Sequence, residues 1–148
     1  MPAAQRVDAL LADYGASHQT RGNRVCHAFG ITLIVFGILS LLLSLRLGPA
    51  LSAAEILIAA TFLIYSTLEV RLAIMLPFEA VLLDLLARAV GDWRVGAAAF
   101  VLGWVFQGIG HARYEKRSPA FFGNLVHLMV GPLFLINELV RIRPVAPP

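Results

Sequence analysis

The sequence predicts an all-α integral membrane protein, with about five membrane helices in a bundle and a short N-terminal interfacial helix. Of its 148 residues, 59% are hydrophobic and only 14% are charged, whereas soluble domains carry about 25% charged residues. The charges fall in short clusters, and the apolar runs between them approach the ~20 residues that cross a bilayer. We therefore expect one membrane-embedded domain over residues 1–148.

The first two helices follow from the N-terminal pattern. Residues 3–14 place apolar side chains on one helical face, which indicates a short helix lying in the membrane interface. That face consists of Val7, Leu10, Leu11 and Tyr14. The first membrane helix is expected from about Val25 to Leu47, because Gly48 and Pro49 end the apolar run.

The remaining apolar runs predict three or four further helices. Residues 51–90 form one apolar stretch, interrupted by "LEVRL" and by Pro77. Such a stretch suits either two short spans or one span with an interfacial helix, since ~20 residues cross a bilayer. The next helix is expected over residues 95–111. The last is expected over 120–140, with a kink at Pro132.

Small residues recur every seven positions in two of these helices. The two stripes are Gly96, Gly103 and Gly110 in one helix, and Gly30, Gly37 and Ser44 in the other. Small residues let membrane helices approach one another closely. The stripes therefore predict a compact bundle and indicate no chemistry.

Composition excludes several classes of function. The single cysteine, Cys26, excludes an intrachain disulfide and a Cys-rich metal site. The formal charge of +3 does not indicate nucleic acid binding, because the basic residues flank apolar helices, where they meet lipid phosphates. More Lys and Arg fall on the predicted N-terminal side than on the other. This bias favours an N-terminus on the cytoplasmic side of the membrane.

The histidines lie toward the two ends of the chain and can converge. The four are His18, His27, His111 and His127. If residues 51–90 cross the membrane twice, four helices separate His27 from His111. An even number of crossings returns the chain to the same face. His127 would then lie two turns into the last helix, ~10 Å from that face at ~1.5 Å per residue.

Four histidines on one face favour a metal site over packing. Neutral imidazole suits iron, zinc and copper, and ionisable groups inside a membrane are costly and usually functional. Polar partners for the imidazole N–H groups are expected beside them, namely Asn23, Gln107, Glu115 and Asn124. The residues alone leave open iron-dependent oxygen chemistry, a zinc hydrolase, a metal carrier, or a non-catalytic scaffold whose histidines only pack.

The stretch "WVFQGIGHARYEKRSPAFFGNLVHLMVGPLFLINEL" resembles the membrane 2-hydroxy fatty acid dioxygenases, a family of fungal endoplasmic reticulum proteins with bacterial relatives. The matching residues there are Trp104, Gln107, Gly110, His111, Glu115, Pro119, Ala120, Asn124, Leu125, Pro132 and Glu138. Near the N-terminus the matching residues are Tyr14, His18, Asn23 and His27. Residues 31–95 match only in being apolar. A long gapped motif of this kind is more specific than a short pattern.

The resemblance implies an enzyme that uses Fe(II) and O2 to shorten a long-chain 2-hydroxy fatty acid by one carbon with release of CO2. It implies iron ligation by His18, His27 and His111. His127 stands where some relatives have Gln, and its position suits a fourth ligand. The expected partners are the hydroxy fatty acid, O2 and membrane lipid.

The resemblance also suggests catalytic roles for Glu115, Asn23 and Gln107. Glu115 could complete a 2-His-1-carboxylate iron site or serve as an outer or salt-bridged group. A basic cluster could attract the substrate carboxylate or simply flank a helix on the cytoplasmic side. That cluster consists of Arg113, Lys116 and Arg117.

Overall fold

The computed structural model describes residues 3–68, 70–116 and 126–143, and the regular secondary structure in these ranges is helical. The helices are α1 (Ala3–Ala16), α2 (Arg21–Leu43), α3 (Ala53–Ser66), α4 (Val70–Val90), α5 (Trp93–Ile109) and α6 (Val126–Val140). A π-helical turn, Gly110–Glu115, continues α5. The described residues form no β-strand, which confirms the all-α prediction.

The stripes of small residues bring α2 and α5 together as an antiparallel pair. A Cβ atom at Gly30 would lie 2.9 Å from the carbonyl oxygen of Gly103, and one at Gly37 would lie 2.6 Å from that of Gly96. Ser40, rather than Ser44, faces Gly96, since α2 ends at Leu43. Direct backbone contact of this kind is available only to residues without a side chain, as the spacing predicts.

Residues 51–90 resolve into two helices. The Ser52 side chain accepts from the Ala54 backbone N–H, and Glu55 completes a capping box at the start of α3. Arg88, in the last turn of α4, donates to Glu55, so α3 and α4 run antiparallel. Pro77 lies inside α4 without ending it. Four helices, α2 to α5, therefore connect His27 to His111, as the convergence of the histidines requires.

The apolar face of α1 is covered by protein. Val7 and Leu11 are 0% exposed and Tyr14 is 4% exposed. They pack in one core cluster with residues of α6, among them Leu133 and Phe134. The predicted face is therefore confirmed, but it contacts other helices where the sequence predicted an interface with lipid. The reason is that α6 carries a second apolar face at the same end of the bundle.

Two helices are long and apolar enough to cross a membrane, judged by length and composition. They are α2 and the combined α5 and π turn, each 23 residues long. α3 and the described part of α6 are apolar but shorter. Exposed apolar side chains cover the outward faces of α3, α4 and α5, including Leu63, Phe78 and Val101. Apolar surface on this scale marks a face that meets lipid or another protein.

Candidate metal centre

Three of the four histidines meet at one end of the bundle. His18 lies between α1 and α2, His27 in the second turn of α2, and His111 in the π turn. One nitrogen from each ring lies within 4.8 Å of the others, and all three side chains are buried. The structure thus brings together His27 and His111, which are 84 positions apart along the chain.

Hydrogen bonds fix which ring nitrogen is left for a ligand. His18 Nδ1 lies 2.7 Å from the Tyr14 carbonyl oxygen, and His27 Nδ1 lies 3.0 Å from that of Asn23. A carbonyl only accepts, so each Nδ1 carries the hydrogen and each Nε2 keeps its lone pair. His18 Nε2 is buried and has no hydrogen-bond partner among the described residues. This is the arrangement of a metal-bound histidine, so the donor set fits a metal.

The surroundings of His18 keep its ring neutral. Burial lowers the pKa of His18 to about 4, although the hydrogen bond to the Tyr14 carbonyl opposes this shift. Neutral imidazole is the form that binds metals. The Tyr14 ring stacks on the His18 ring at 3.9 Å with an interplanar angle of 5°. Burial raises the pKa of the Tyr14 phenol, so Tyr14 stays protonated near neutral pH.

Glu115 ties the π turn to the start of α2. Its Oε1 accepts from the Thr20 backbone N–H at 2.8 Å, from the Thr20 hydroxyl at 3.0 Å and from Asn23 Nδ2 at 3.2 Å. Thr20 is the N-cap of α2, which is why this helix begins at Arg21, earlier than the apolar pattern suggests. Because His18 and His27 flank this cap, Glu115 stabilises the segment that carries two of the three rings.

The π turn places His111 beside α2. π-helical turns are rare and recur at functional sites. A Cβ atom at Gly110 would collide with Asn23 Oδ1 and lie 3.2 Å from His27 Nδ1. The turn ends where Lys116 adopts a left-handed conformation with φ 54°. Gly110 therefore leaves room for the second histidine, unlike Gly96 and Gly103, which meet α2 by direct packing.

His127 lies outside the group of three. Its side chain is 7% exposed, and its Nε2 lies 2.8 Å from Asp13 Oδ2. Its Nδ1 is buried without a hydrogen-bond partner in the described part of the chain. The sequence did not indicate Asp13 as a partner of His127, because this contact depends on how α1 packs on α6. Asn124, predicted as a neighbour of His127, lies outside the described residues.

Two cavities of different character meet at the histidines. Both are lined by Tyr14, His18, His27 and Ile31. The first, of about 370 Å³, continues between α2, α5 and α6 and is mainly apolar. Its further lining includes Ile34, Val35, Ile38, Phe100, Trp104, Gln107, His111 and His127. The second, of about 410 Å³, lies between α2 and α6 and has a charged lining of Arg21, Arg24 and Glu138.

Basic residues at the start of α2 line the site, whereas Arg113 and Lys116 of the predicted basic cluster line neither cavity. Arg113 and Lys116 are exposed, and Arg117 lies outside the described residues. Arg24 donates to the His18 carbonyl at 2.8 Å and pairs with Glu138 at 3.1 Å. A sequence signal existed, because Arg21 and Arg24 lie between His18 and His27.

Comparisons with known proteins point to one family. The family model described as 2-hydroxy-palmitic acid dioxygenase Mpo1-like matches residues 4–142. The 2-hydroxy-palmitic acid dioxygenase MPO1 of Saccharomyces cerevisiae is 29% identical over 137 residues, which cover 88% of this chain and 77% of the yeast protein. No solved structure gives a significant match.

Proposed function

Because the chain belongs to the Mpo1-like family, we propose that it is an Fe(II)- and O2-dependent dioxygenase of 2-hydroxy fatty acids. In the proposed reaction, a long-chain 2-hydroxy fatty acid and O2 give the acid one carbon shorter, CO2 and water. The yeast relative's name supports dioxygenase activity at the level of the family. The finer assignment depends on the site.

One observation carries this proposal: a buried three-histidine group lies where an apolar cavity meets a second cavity whose lining includes Arg21, Arg24 and Glu138. A 2-hydroxy fatty acid has the same division, with a long apolar chain and a polar end of two adjacent oxygen-bearing groups. The apolar cavity, bounded by residues such as Val35 and Phe100, suits the chain. Arg21 and Arg24 in the other cavity suit the carboxylate. The reacting carbons would then lie beside the histidines.

His18, His27 and His111 would hold the metal. Bound Fe(II) would supply the one-electron chemistry that lets O2 react with an organic substrate. With only three imidazoles as protein ligands, the metal would stay accessible to a 2-hydroxy acid and to O2. Glu115 Oε1 already accepts hydrogen bonds from Thr20 and Asn23. We therefore assign it to positioning the ligands and not to binding the metal.

The chain's other residues would bind the substrate and exclude water. Each CH2 group buried in the apolar cavity contributes about 0.8 kcal/mol, so long acids should bind more tightly than short ones. Gln107 lines this cavity one turn before His111 and is 7% exposed. Its amide can bond the polar end of the substrate. Asn23, bonded to Glu115, holds the start of α2 in place.

The exposed apolar faces indicate how such a substrate would arrive. We propose that α2 to α6 all cross a bacterial-type inner membrane, with the N-terminus and the histidines on the cytoplasmic side. α3 and the described part of α6 are short for a span, and local bilayer thinning accommodates short helices. A fatty acid dissolved in the membrane could then enter the apolar cavity between helices.

The alternative is a scaffold whose histidines only pack. A packing histidine is normally satisfied at its ring nitrogens, since an unpaired buried polar atom costs ~1–3 kcal/mol. His18 Nε2 and His127 Nδ1 have no such partner in the described ranges. Two such atoms around one cavity favour a site that binds something.

Product analysis tests the proposal. Protein loaded with Fe(II) under anaerobic conditions is given O2 and 2-hydroxypalmitate, and the products are measured by mass spectrometry. We expect the acid one carbon shorter together with CO2, and little product from palmitate or 3-hydroxypalmitate. His111→Ala should give none, whereas Arg94→Gln, an exposed change at the other end of α5, should match wild type. No shortened acid from iron-loaded wild type at any chain length would refute the assignment.

A further inference from the structure

Asp13 and His127 form a polar pair that the three-histidine group does not use. Asp13 lies on α1 and is 62% exposed, whereas His127 lies on α6 and is 7% exposed. Asp13 Oδ2 lies 2.8 Å from His127 Nε2. A carboxylate accepts, so Nε2 carries the hydrogen and Nδ1 keeps a lone pair. Nδ1 is buried with no partner among the described residues.

The free nitrogen belongs to a residue of the apolar cavity. His127 lines that cavity together with all three histidines of the group. The edge of its ring lies against Tyr14, with ring centroids 5.6 Å apart at 60°. A residue that lines the cavity therefore carries a buried imidazole lone pair that is apart from the metal group. A buried acceptor of this kind can take a proton from a bound molecule.

Resting on the proposed function, we propose that His127 is the base that takes the proton of the substrate's 2-hydroxyl group, and that it is not a fourth metal ligand. Asp13 is a positioning residue. It holds the ring in the tautomer with Nδ1 free and stabilises the imidazolium that forms. A carboxylate paired with a histidine also occurs behind metal ligands, so the experiment separates these two roles.

The proton transfer balances within the proposed reaction. The O–H bond of the 2-hydroxyl group breaks, the electron pair stays on oxygen, and the proton bonds to His127 Nδ1. O2 is the oxidant. The substrate's hydroxyl hydrogen and its C2 hydrogen both end in the water that is formed. His127 Nδ1 therefore gives its proton to the oxygen atom that leaves as water. The side chain is thereby restored for the next turnover.

Substitution separates a base from a ligand. We expect His127→Gln to lower kcat about 100-fold, at the lower end of the range for general base catalysis, with KM and Fe(II) affinity unchanged. Asp13→Asn should lower kcat about tenfold, because it keeps an acceptor but removes the charge. The matched control is Asp8→Asn, also on α1, where the Asp8 carboxylate lies 3.7 Å from Arg143. This variant should change neither kcat nor Fe(II) affinity. Loss of Fe(II) binding in His127→Gln, or a wild-type kcat in that variant, would overturn the proposal.

A second measurement does not need turnover. The ring nitrogens of the histidines are followed by 15N NMR while Zn(II) is added. The Nε2 signals of His18 and His27 should shift, whereas Nδ1 of His127 should not. A Zn(II)-induced shift at His127 Nδ1 would make it a ligand. If wild type shortens no hydroxy acid, the proposed function fails and the base role fails with it. The 15N NMR signals would still show whether His127 binds the metal.

Discussion

The two ends of the α2–α5 pair carry different polar residues. At the end where α3 begins, the ions are paired. Arg88 donates to Glu55 and, at 2.7 Å, to Asp84. At the other end, uncharged ring nitrogens of His18 and His127 are buried without partners in the described structure. Paired ions stabilise helix ends, whereas unpaired lone pairs cost ~1–3 kcal/mol each unless something binds them.

The glycine stripe shows the same division along one helix. Gly96 and Gly103 let α5 approach α2 directly, so that Ser40 and Gly30 lie in contact with them. Gly110 continues the seven-residue spacing, yet the space beside it holds Asn23 and His27. One sequence pattern thus serves packing at two positions and the site at the third.

The largest difference should appear when one member of each polar group is removed. His27→Ala should abolish Fe(II) binding and turnover, because losing a ligand exceeds the 10- to 100-fold losses typical of outer partners. Arg88→Gln should leave Fe(II) affinity unchanged and cost ~1–3 kcal/mol of stability, because Asp84, whose side chain is only 9% exposed, loses its partner. Metal titration and thermal unfolding of both variants make the comparison. Retained iron in His27→Ala would remove it from the ligand set.

Acid should weaken the histidine end. The unfolded chain protonates His18 near pH 6.5, whereas the folded protein protonates it only near pH 4. The free energy of unfolding is therefore highest above about pH 6.5. It falls by about 3 kcal/mol for this group as the pH drops to about 4. The free energy of unfolding of the metal-free protein is measured across this pH range, with His18→Gln as the control. An equal pH dependence in that control would contradict the assignment.

Gly110→Ala and Gly37→Ala test the glycine stripe. At Gly110 the new methyl group must displace Asn23 and His27, so Fe(II) affinity should fall by about 100-fold. At Gly37 it would lie 2.6 Å from the Gly96 carbonyl, which should cost about 1–3 kcal/mol of stability and spare the metal affinity. Equal metal affinities in the two variants would show that Gly110 does not make room for His27.

The smallest effect is expected from the two helix-capping glutamates. Glu115→Ala should lower Fe(II) affinity about tenfold, because Glu115 holds the segment between His18 and His27 without reaching a ring. Glu55→Ala should cost about 1 kcal/mol through its cap and leave affinity unchanged. Isothermal titration with Fe(II) distinguishes them. A loss in Glu115→Ala as large as in His27→Ala would instead make Glu115 a ligand.

Much of the fold was predictable because it depends on period and length. The apolar runs predicted the helices, and the even number of helices between His27 and His111 predicted that these two residues meet. The boundaries were less accurate. Thr20 starts α2 early as its N-cap, and Glu115, 95 residues away, accepts hydrogen bonds from Thr20. No local pattern encodes that distant contact.

The details of the site depend on packing and were not predictable. The sequence pointed to side chains as partners of the imidazoles, but the carbonyls of Tyr14 and Asn23 serve instead. Every residue has a carbonyl, so sequence gives no signal for this role. Likewise, the Asp13–His127 pair arises from the packing of α1 on α6. The π turn adds one residue to a helical turn, which leaves the apolar pattern almost unchanged.

X-ray absorption on the Fe(II)-loaded protein tests the central claim most directly, since it counts the imidazoles around the metal. We expect one iron per chain with three imidazole ligands in wild type, and the same three in His127→Gln. Two should remain in any His111→Ala protein that still holds iron. A spectrum without imidazole scattering, or one that His111→Ala leaves unchanged, would contradict a metal centre formed by His18, His27 and His111.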